Sequence, residues 1–140
     1  MNDIKYWIEL AKSVATRAHS GQTRRDGTPY IKHPERVASK VEDRLKPIAW
    51  LHDVVEDTEV SINDLYKFGF PEYIIEAVSV LTHSKTQTNV QYWNDIAKNV
   101  DAIAVKLADI NDNLSDTPSD NQRQKYAKAL DIFKKLGYKI

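Results

Sequence analysis

No cysteine occurs anywhere in the sequence. Disulfides, thiolate chemistry and cysteine zinc knuckles are therefore excluded together, and any metal must sit on histidine and carboxylate. No charge of one sign dominates: Lys+Arg and Asp+Glu both number 20. The chain thus has no global field for gathering nucleic acid or anionic membrane. No apolar run approaches the roughly 18 residues that a membrane span needs. The N-terminus MNDIKYWIEL is amphipathic and charged, unlike a signal peptide, so a soluble, cytoplasmic protein is the expectation. What remains, 140 residues that are 41% hydrophobic and 29% charged, reads as one globular domain over 1–140.

Helical periodicity runs through most of that length. Ile4, Trp7, Ile8, Ala11, Val14, Ala15 and Ala18 recur by threes and fours, marking one face of a first helix. Glycine and proline are few, and two of each fall in GQTRRDGTPYIKHP, which signals an ordered loop. Pro34 suits the start of a helix through Val37 and Val41. Pro47 opens another, carrying Ile48, Ala49 and Leu51 into HDVVED. Ser61 with Asp64 resembles a capping box for a short helix that Gly69 ends. Pro71 starts the next, with Ile74, Ile75, Val78 and Leu81 inward. Beyond the polar loop THSKTQTN, a helix holds Val90, Trp93, Ile96 and Ala97. Asp101 reads as the cap of a helix through Ile103, Val105 and Leu107. DTPSD turns the chain into a last helix with Tyr126, Leu130, Phe133 and Leu136, ended by Gly137. No strand alternation persists and no linker divides the chain. The fold class read from this pattern is all-α, a compact bundle of about seven or eight helices.

Chemistry-bearing residues concentrate in three places. AHSGQTRRDGTPYIKHP ends at His33. LHDVVEDT sets His52, Asp53, Glu56 and Asp57 into an otherwise apolar helix. KLADINDN places Asp109 and Asn113 four residues apart, on one helical face. Flanking Leu51, Val54, Val55, Leu107 and Ala108 look like core, so these carboxylates are partly desolvated, which costs free energy unless each is paired or metal-bound. Two imidazoles and two carboxylates suit a divalent Mn, Fe or Zn ion. A water whose pKa such an ion lowers suits hydrolysis of a phosphate ester or pyrophosphate. His19 reads as a brace for its loop, and His83 as an exposed loop residue.

The order His…His-Asp…Asp resembles that of the HD-domain phosphohydrolases. More narrowly, the motifs GQTRRDGTPYIKHPERVA, LHDVVEDT and KLADINDN resemble the hydrolase domain of the Rel/Spo alarmone enzymes and the stand-alone small alarmone hydrolases. The likeness spans Ala18 to about Asp116. It implies that His33, His52, Asp53 and Asp109 hold Mn²⁺, and that Glu56 and Asp57 orient the attacking water and handle protons. Arg24 would stack on or cradle the nucleobase, Arg25 would meet base or phosphate, and Asn113 would touch the ribose. The implied reaction is that of a guanosine 3′,5′-bis(diphosphate) 3′-pyrophosphohydrolase, acting on a small nucleotide with no nucleic-acid or membrane partner. The sequence sets no oligomeric state. Alarmone synthesis is not expected, since the chain ends about 27 residues past Asn113.

Some positions depart from the family. Arg25 stands where Lys is common, and Ile110, Asp112 and Asp116 stand where Arg, His and Thr are usual. Asp116, three residues past Asn113, becomes a candidate base selector, because an ionised carboxylate accepts hydrogen bonds and cannot donate them. Three alternatives accompany the main reading. Two are an HD phosphohydrolase of another nucleotide (an adenine alarmone, a dinucleotide cofactor phosphate or a nucleoside monophosphate) and a non-enzymatic nucleotide sensor. The third, a nucleic-acid-binding module, is disfavoured by a neutral chain with one Arg-Arg turn.

Overall fold

A computed structural model describes residues 3–115 and 118–138. Its elements are α1 (Ile4–Ala18), α2 (Lys32–Ser39), a 3₁₀ turn (Asp43–Leu45), α3 (Lys46–Leu51), α4 (Val54–Asp57), α5 (Ile62–Lys67), α6 (Glu72–Leu81), α7 (Asn89–Ala97), α8 (Val100–Leu114) and α9 (Asp120–Lys135). Among the described residues there is no strand, only one isolated bridge between Thr23 and Pro29. The all-α bundle expected from the periodicity is what forms.

Local chemistry sets the helix ends. Ser61 accepts from the Asp64 amide and Asp64 returns the bond, the expected capping box of α5. Thr88 with Gln91 and Ser119 with Gln122 do the same for α7 and α9. Asn99, not Asp101, caps α8 by accepting from the Ala102 amide; Asp101 lies in the first turn and pairs with Arg44 instead. Gly69 and Gly137 follow α5 and α9 at φ of 88° and 97°, the left-handed conformation that lets a helix stop.

The core sits around α3, in which Pro47, Ile48, Ala49, Trp50 and Leu51 are all buried. This short helix packs against α1, α2, α6 and α8. Burial on that scale stabilises by roughly 1.5–3 kcal/mol per large side chain, which fixes the C-terminal end of α3 within the bundle. There the expected single helix through HDVVED divides in two. His52 Nδ1 lies 2.6 Å from the Ala49 carbonyl, while the His52 amide reaches the same oxygen only at 3.5 Å. A side chain that captures a helix acceptor competes with the backbone ladder. α3 ends at Leu51, and α4 restarts at Val54.

Candidate metal centre

That break presents two adjacent residues to one cleft. His33 enters from the first turn of α2, His52 and Asp53 from the α3–α4 junction, and Asp109 from α8. His33, His52, Asp53 and Asp109 each offer one ligand atom, and these four atoms all lie within 4.8 Å of one another. His33 Nε2 is 2.8 Å from Asp109 Oδ1 and 3.8 Å from Asp53 Oδ2. His52 Nε2 is 3.0 Å from Asp53 Oδ2 and 3.3 Å from Asp109 Oδ1. Donors about 2.0–2.2 Å from one ion stand roughly 3 Å apart when at right angles and about 4.2 Å apart when opposite. The cluster spans that range.

The donor chemistry fits a cation. With Nδ1 donating to the Ala49 carbonyl, a neutral His52 would turn its lone pair out on Nε2, a buried atom that faces two carboxylates and has no hydrogen-bond partner. Burial opposes a charged His52, yet the Asp53 and Asp109 carboxylates outweigh it and raise its pKa well above the ordinary value. Burial likewise opposes ionised Asp109, but Lys106, His52 and His33 hold its pKa well below the carboxylate range. Asp53, half-buried beside His52, falls to about 2. The site is an electronegative pocket that draws positive charge toward its centre.

Each candidate ligand is also gripped from behind, as metal ligands commonly are. Tyr30 donates its hydroxyl to Asp53 Oδ2. Lys106, itself buried and 5.4 Å above the rings of Tyr92 and Trp93, donates to Asp109 Oδ2 at 2.9 Å. His33 Nδ1 meets Asp112 Oδ2 at 2.6 Å. Sequence reasoning passed over Tyr30 and Lys106 as site residues. It noticed Asp112 only as a departure, although its i,i+3 spacing from Asp109 placed both on one face.

A cleft of about 390 Å³ opens over the cluster, and Arg24, Arg25, Glu56, Asn113, Lys125 and Tyr126 line it. The Arg loop is closed by Arg24 N donating to the Thr28 carbonyl at 2.8 Å, with Gly27 at φ 86° making the turn. Arg24 donates to Asn113 Oδ1 at 3.1 Å, and Asn113 Nδ2 donates to the Tyr126 hydroxyl at 3.0 Å. Glu56 Oε1 accepts from the His83 amide at 2.7 Å. Asp57 lines an adjoining cavity of about 690 Å³ instead. Asp57 is exposed overall, but partial desolvation of its carboxyl, with Asp53 and Glu56 nearby, pushes its pKa up to about 6. Asp116 lies outside the described residues. His19 braces its loop as expected, Nδ1 meeting Gln22 Oε1 at 2.9 Å. His83 is half-buried rather than exposed, held by the Ser84 carbonyl and Asn89 and lying against Tyr92. A larger groove of about 900 Å³ beside α6 and α7 has no histidine in its walls.

A helical bundle that gathers His, His-Asp and Asp from separate helices under one cleft is the arrangement of the HD-domain hydrolases. Within that class, the chain is a homologue of the SpoT and Rel alarmone enzymes along nearly its whole length. It is 31% identical over 151 residues to the bifunctional (p)ppGpp synthase/hydrolase SpoT of Escherichia coli K12, covering 95% of this chain and 22% of that protein. It is 30% identical over 145 residues to the guanosine-3′,5′-bis(diphosphate) 3′-pyrophosphohydrolase of Haemophilus influenzae, covering 91% of this chain and 21% of that one. A solved structure described as a metazoan ortholog of SpoT that hydrolyzes ppGpp superposes with a TM-score of 0.75 at 27% identity, covering 91% of this chain and 83% of its own. The chain spans about a fifth of the length of these two curated relatives. No family model matches it.

Proposed function

We propose that this chain is a metal-dependent pyrophosphohydrolase, acting on guanosine 3′,5′-bis(diphosphate) to give guanosine 5′-diphosphate and pyrophosphate. The observation that carries the reading is the convergence of four donor atoms from three parts of the fold within 4.8 Å. His33, His52, Asp53 and Asp109 would hold the cation, and their two nitrogens and two oxygens suit Mn²⁺, the metal the family likeness favours. A divalent ion there supplies Lewis acidity toward a water and a phosphoryl oxygen.

The remaining roles belong to the protein's own groups. Glu56, with Oε1 fixed by the His83 amide, keeps its other oxygen to accept from the attacking water. Asp57, with a pKa of about 6, is ionised at neutral pH and basic enough to take that water's proton. As the bond to the 3′ oxygen breaks, the same carboxyl can return a proton to the leaving hydroxyl. Arg24 carries the nucleobase, Asn113 the ribose, and Arg25 a base edge or phosphate; Lys125 adds a further cation to the wall. Asp116 stays a candidate base selector, tested by the ratio of kcat/KM between guanine and adenine substrates in Asp116→Thr. The reading is of one domain in the cytoplasm, bound neither to nucleic acid nor to membrane. No helix among the described residues is long and apolar enough to cross a membrane.

The deciding experiment incubates the purified protein and Mn²⁺ with a panel of nucleotide polyphosphates and identifies products by chromatography. Equal amounts of guanosine 5′-diphosphate and pyrophosphate are expected. Orthophosphate from a monoester, or turnover of adenine substrates alone, would move the activity to another nucleotide. No turnover of any substrate, with tight nucleotide binding, would make the protein a sensor.

A further inference from the structure

Two carboxylates of α8 clamp the His33 ring, one at each nitrogen. Asp109 Oδ1 stands 2.8 Å from Nε2, and Asp112 Oδ2 stands 2.6 Å from Nδ1. The residues are three apart on one helical face, so both reach the same imidazole. A neutral imidazole has one N–H to give, and an ionised carboxylate has none. In the neutral ring only one of the two contacts can therefore be a hydrogen bond; the other nitrogen turns a lone pair toward a carboxylate, an arrangement that a cation shared between them would stabilise.

Which nitrogen carries the proton is decided by Asp112's other partners. Its side chain is 2% exposed, and both oxygens are engaged. Oδ1 accepts from Arg36 Nε at 2.8 Å, and Oδ2 accepts from the second Arg36 nitrogen at 3.2 Å. Lys40 and Arg24 stand farther off, at 3.6 and 3.9 Å. A carboxylate so surrounded acts only as an acceptor. Asp109 has a different surplus: Lys106 takes one oxygen, and the other points into the cluster.

We infer that Asp112 is a positioning residue: it locks His33 as the Nδ1–H tautomer, holds that ring and Arg36 of α2 against α8, and so presents the Nε2 lone pair to the metal. The inference rests on the proposed metal centre and assigns a role to a position the sequence marked only as a departure. The carboxylate is needed, not merely a polar group of that size. An asparagine has one acceptor oxygen, so serving Arg36 turns its NH₂ toward Nδ1–H, and serving His33 turns it toward the guanidinium.

The test reads tautomer and affinity, and turnover is not needed. In Zn²⁺-loaded wild-type protein, ¹⁵N NMR of the imidazole should show His33 protonated at Nδ1 with Nε2 metal-bound. In Asp112→Asn, Mn²⁺ affinity measured by calorimetry should fall by about 10–100-fold, with the folded signal intact. His33 Nε2–H in the wild type overturns the inference, as does a folded Asp112→Asn that binds Mn²⁺ as tightly as wild type. If Asp112→Asn does not fold, the wild-type tautomer alone decides. If the wild type binds no metal, the metal reading fails separately, and Nδ1 protonation of the metal-free ring still decides whether Asp112 sets the tautomer.

Discussion

At the scale of residues, charge and proton placement separate the groups proposed to hold a cation from those proposed to handle a proton. His52, Asp53 and Asp109 titrate as a cluster waiting for positive charge, whereas Asp57 sits a turn away with its pKa raised to about 6. Asp57→Asn and Glu56→Gln should each slow turnover by about 10²–10⁴-fold, with metal content by atomic absorption unchanged. Loss of metal from either variant would make that residue a ligand. A carboxyl raised in the folded state binds its proton more tightly there than in the unfolded chain. Its ionisation therefore lowers stability as pH rises from about 4 through 6, and the penalty is complete above 6. Asp57→Asn should consequently raise Tm at pH 7 while slowing turnover, and wild-type kcat/KM should fall as pH drops below about 6. Arg24 is judged by substrate affinity: Arg24→Ala should raise KM roughly five- to a hundredfold, the equivalent of about 1–3 kcal/mol of stacking. Unchanged KM across the nucleotide panel would place the base elsewhere. The convergent quartet could be read in the sequence because histidine and aspartate rarely interrupt apolar helices without a reason. Tyr30, Lys106 and Asp112 could not. Periodicity gives the face a residue occupies, not the atom it will touch, and Lys106 in particular reads as an ordinary surface charge until Asp109 pairs with it.

The elements were legible as helices, and where the reading slipped, a side chain had intervened. Ser61 with Asp64, and Gly69 and Gly137, did what their sequence positions imply. HDVVED continued no helix, because the His52 ring took the Ala49 carbonyl, a competition that no propensity scale contains. α9 was read as a helix carrying Tyr126, Leu130, Phe133 and Leu136; Tyr126 and Phe133 are buried, the Phe133 ring 6.4 Å from that of Trp93 on α7, whereas Leu136 is exposed at the C-cap. The same helix also delivers Lys125 and Tyr126 to the cleft, which its apolar stripe could not reveal. Phe133→Ala should therefore act twice. It should cost about 3–5 kcal/mol in urea denaturation, and nucleotide KM should rise as the cleft loses a firmly seated wall. Mn²⁺ affinity should hold, since none of the four ligands lies on α9. A parallel loss of metal affinity would mean that the core, not the wall, had been disturbed.

For the whole molecule, the proposed metal centre would work as a cross-link. His33 and Asp109 lie 76 positions apart in sequence, and the junction that carries His52 and Asp53 is a third, separate anchor. A cation gripping all three would join α2, the end of α3 and α8 across the middle of the bundle. The unfolded chain, without cysteine and with its ligands scattered, has little affinity for such an ion. Binding should then appear almost entirely as added stability, by about 2.7 kcal/mol when free metal is a hundredfold above Kd. For a domain of this size that corresponds to a rise of roughly 8 °C in Tm, taking about 3 °C per kcal/mol. The measurement is a thermal melt with Mn²⁺ against one with chelator, in the absence of nucleotide. His52→Ala supplies the control: it removes one of the four donors, and the Mn²⁺-dependent shift should shrink or vanish although the chelated variant still melts cooperatively. If Mn²⁺ leaves the wild-type melt unmoved at millimolar concentration, the four groups are an internal ion-pair network rather than a metal site. Catalysis by this fold would then need another source of Lewis acidity.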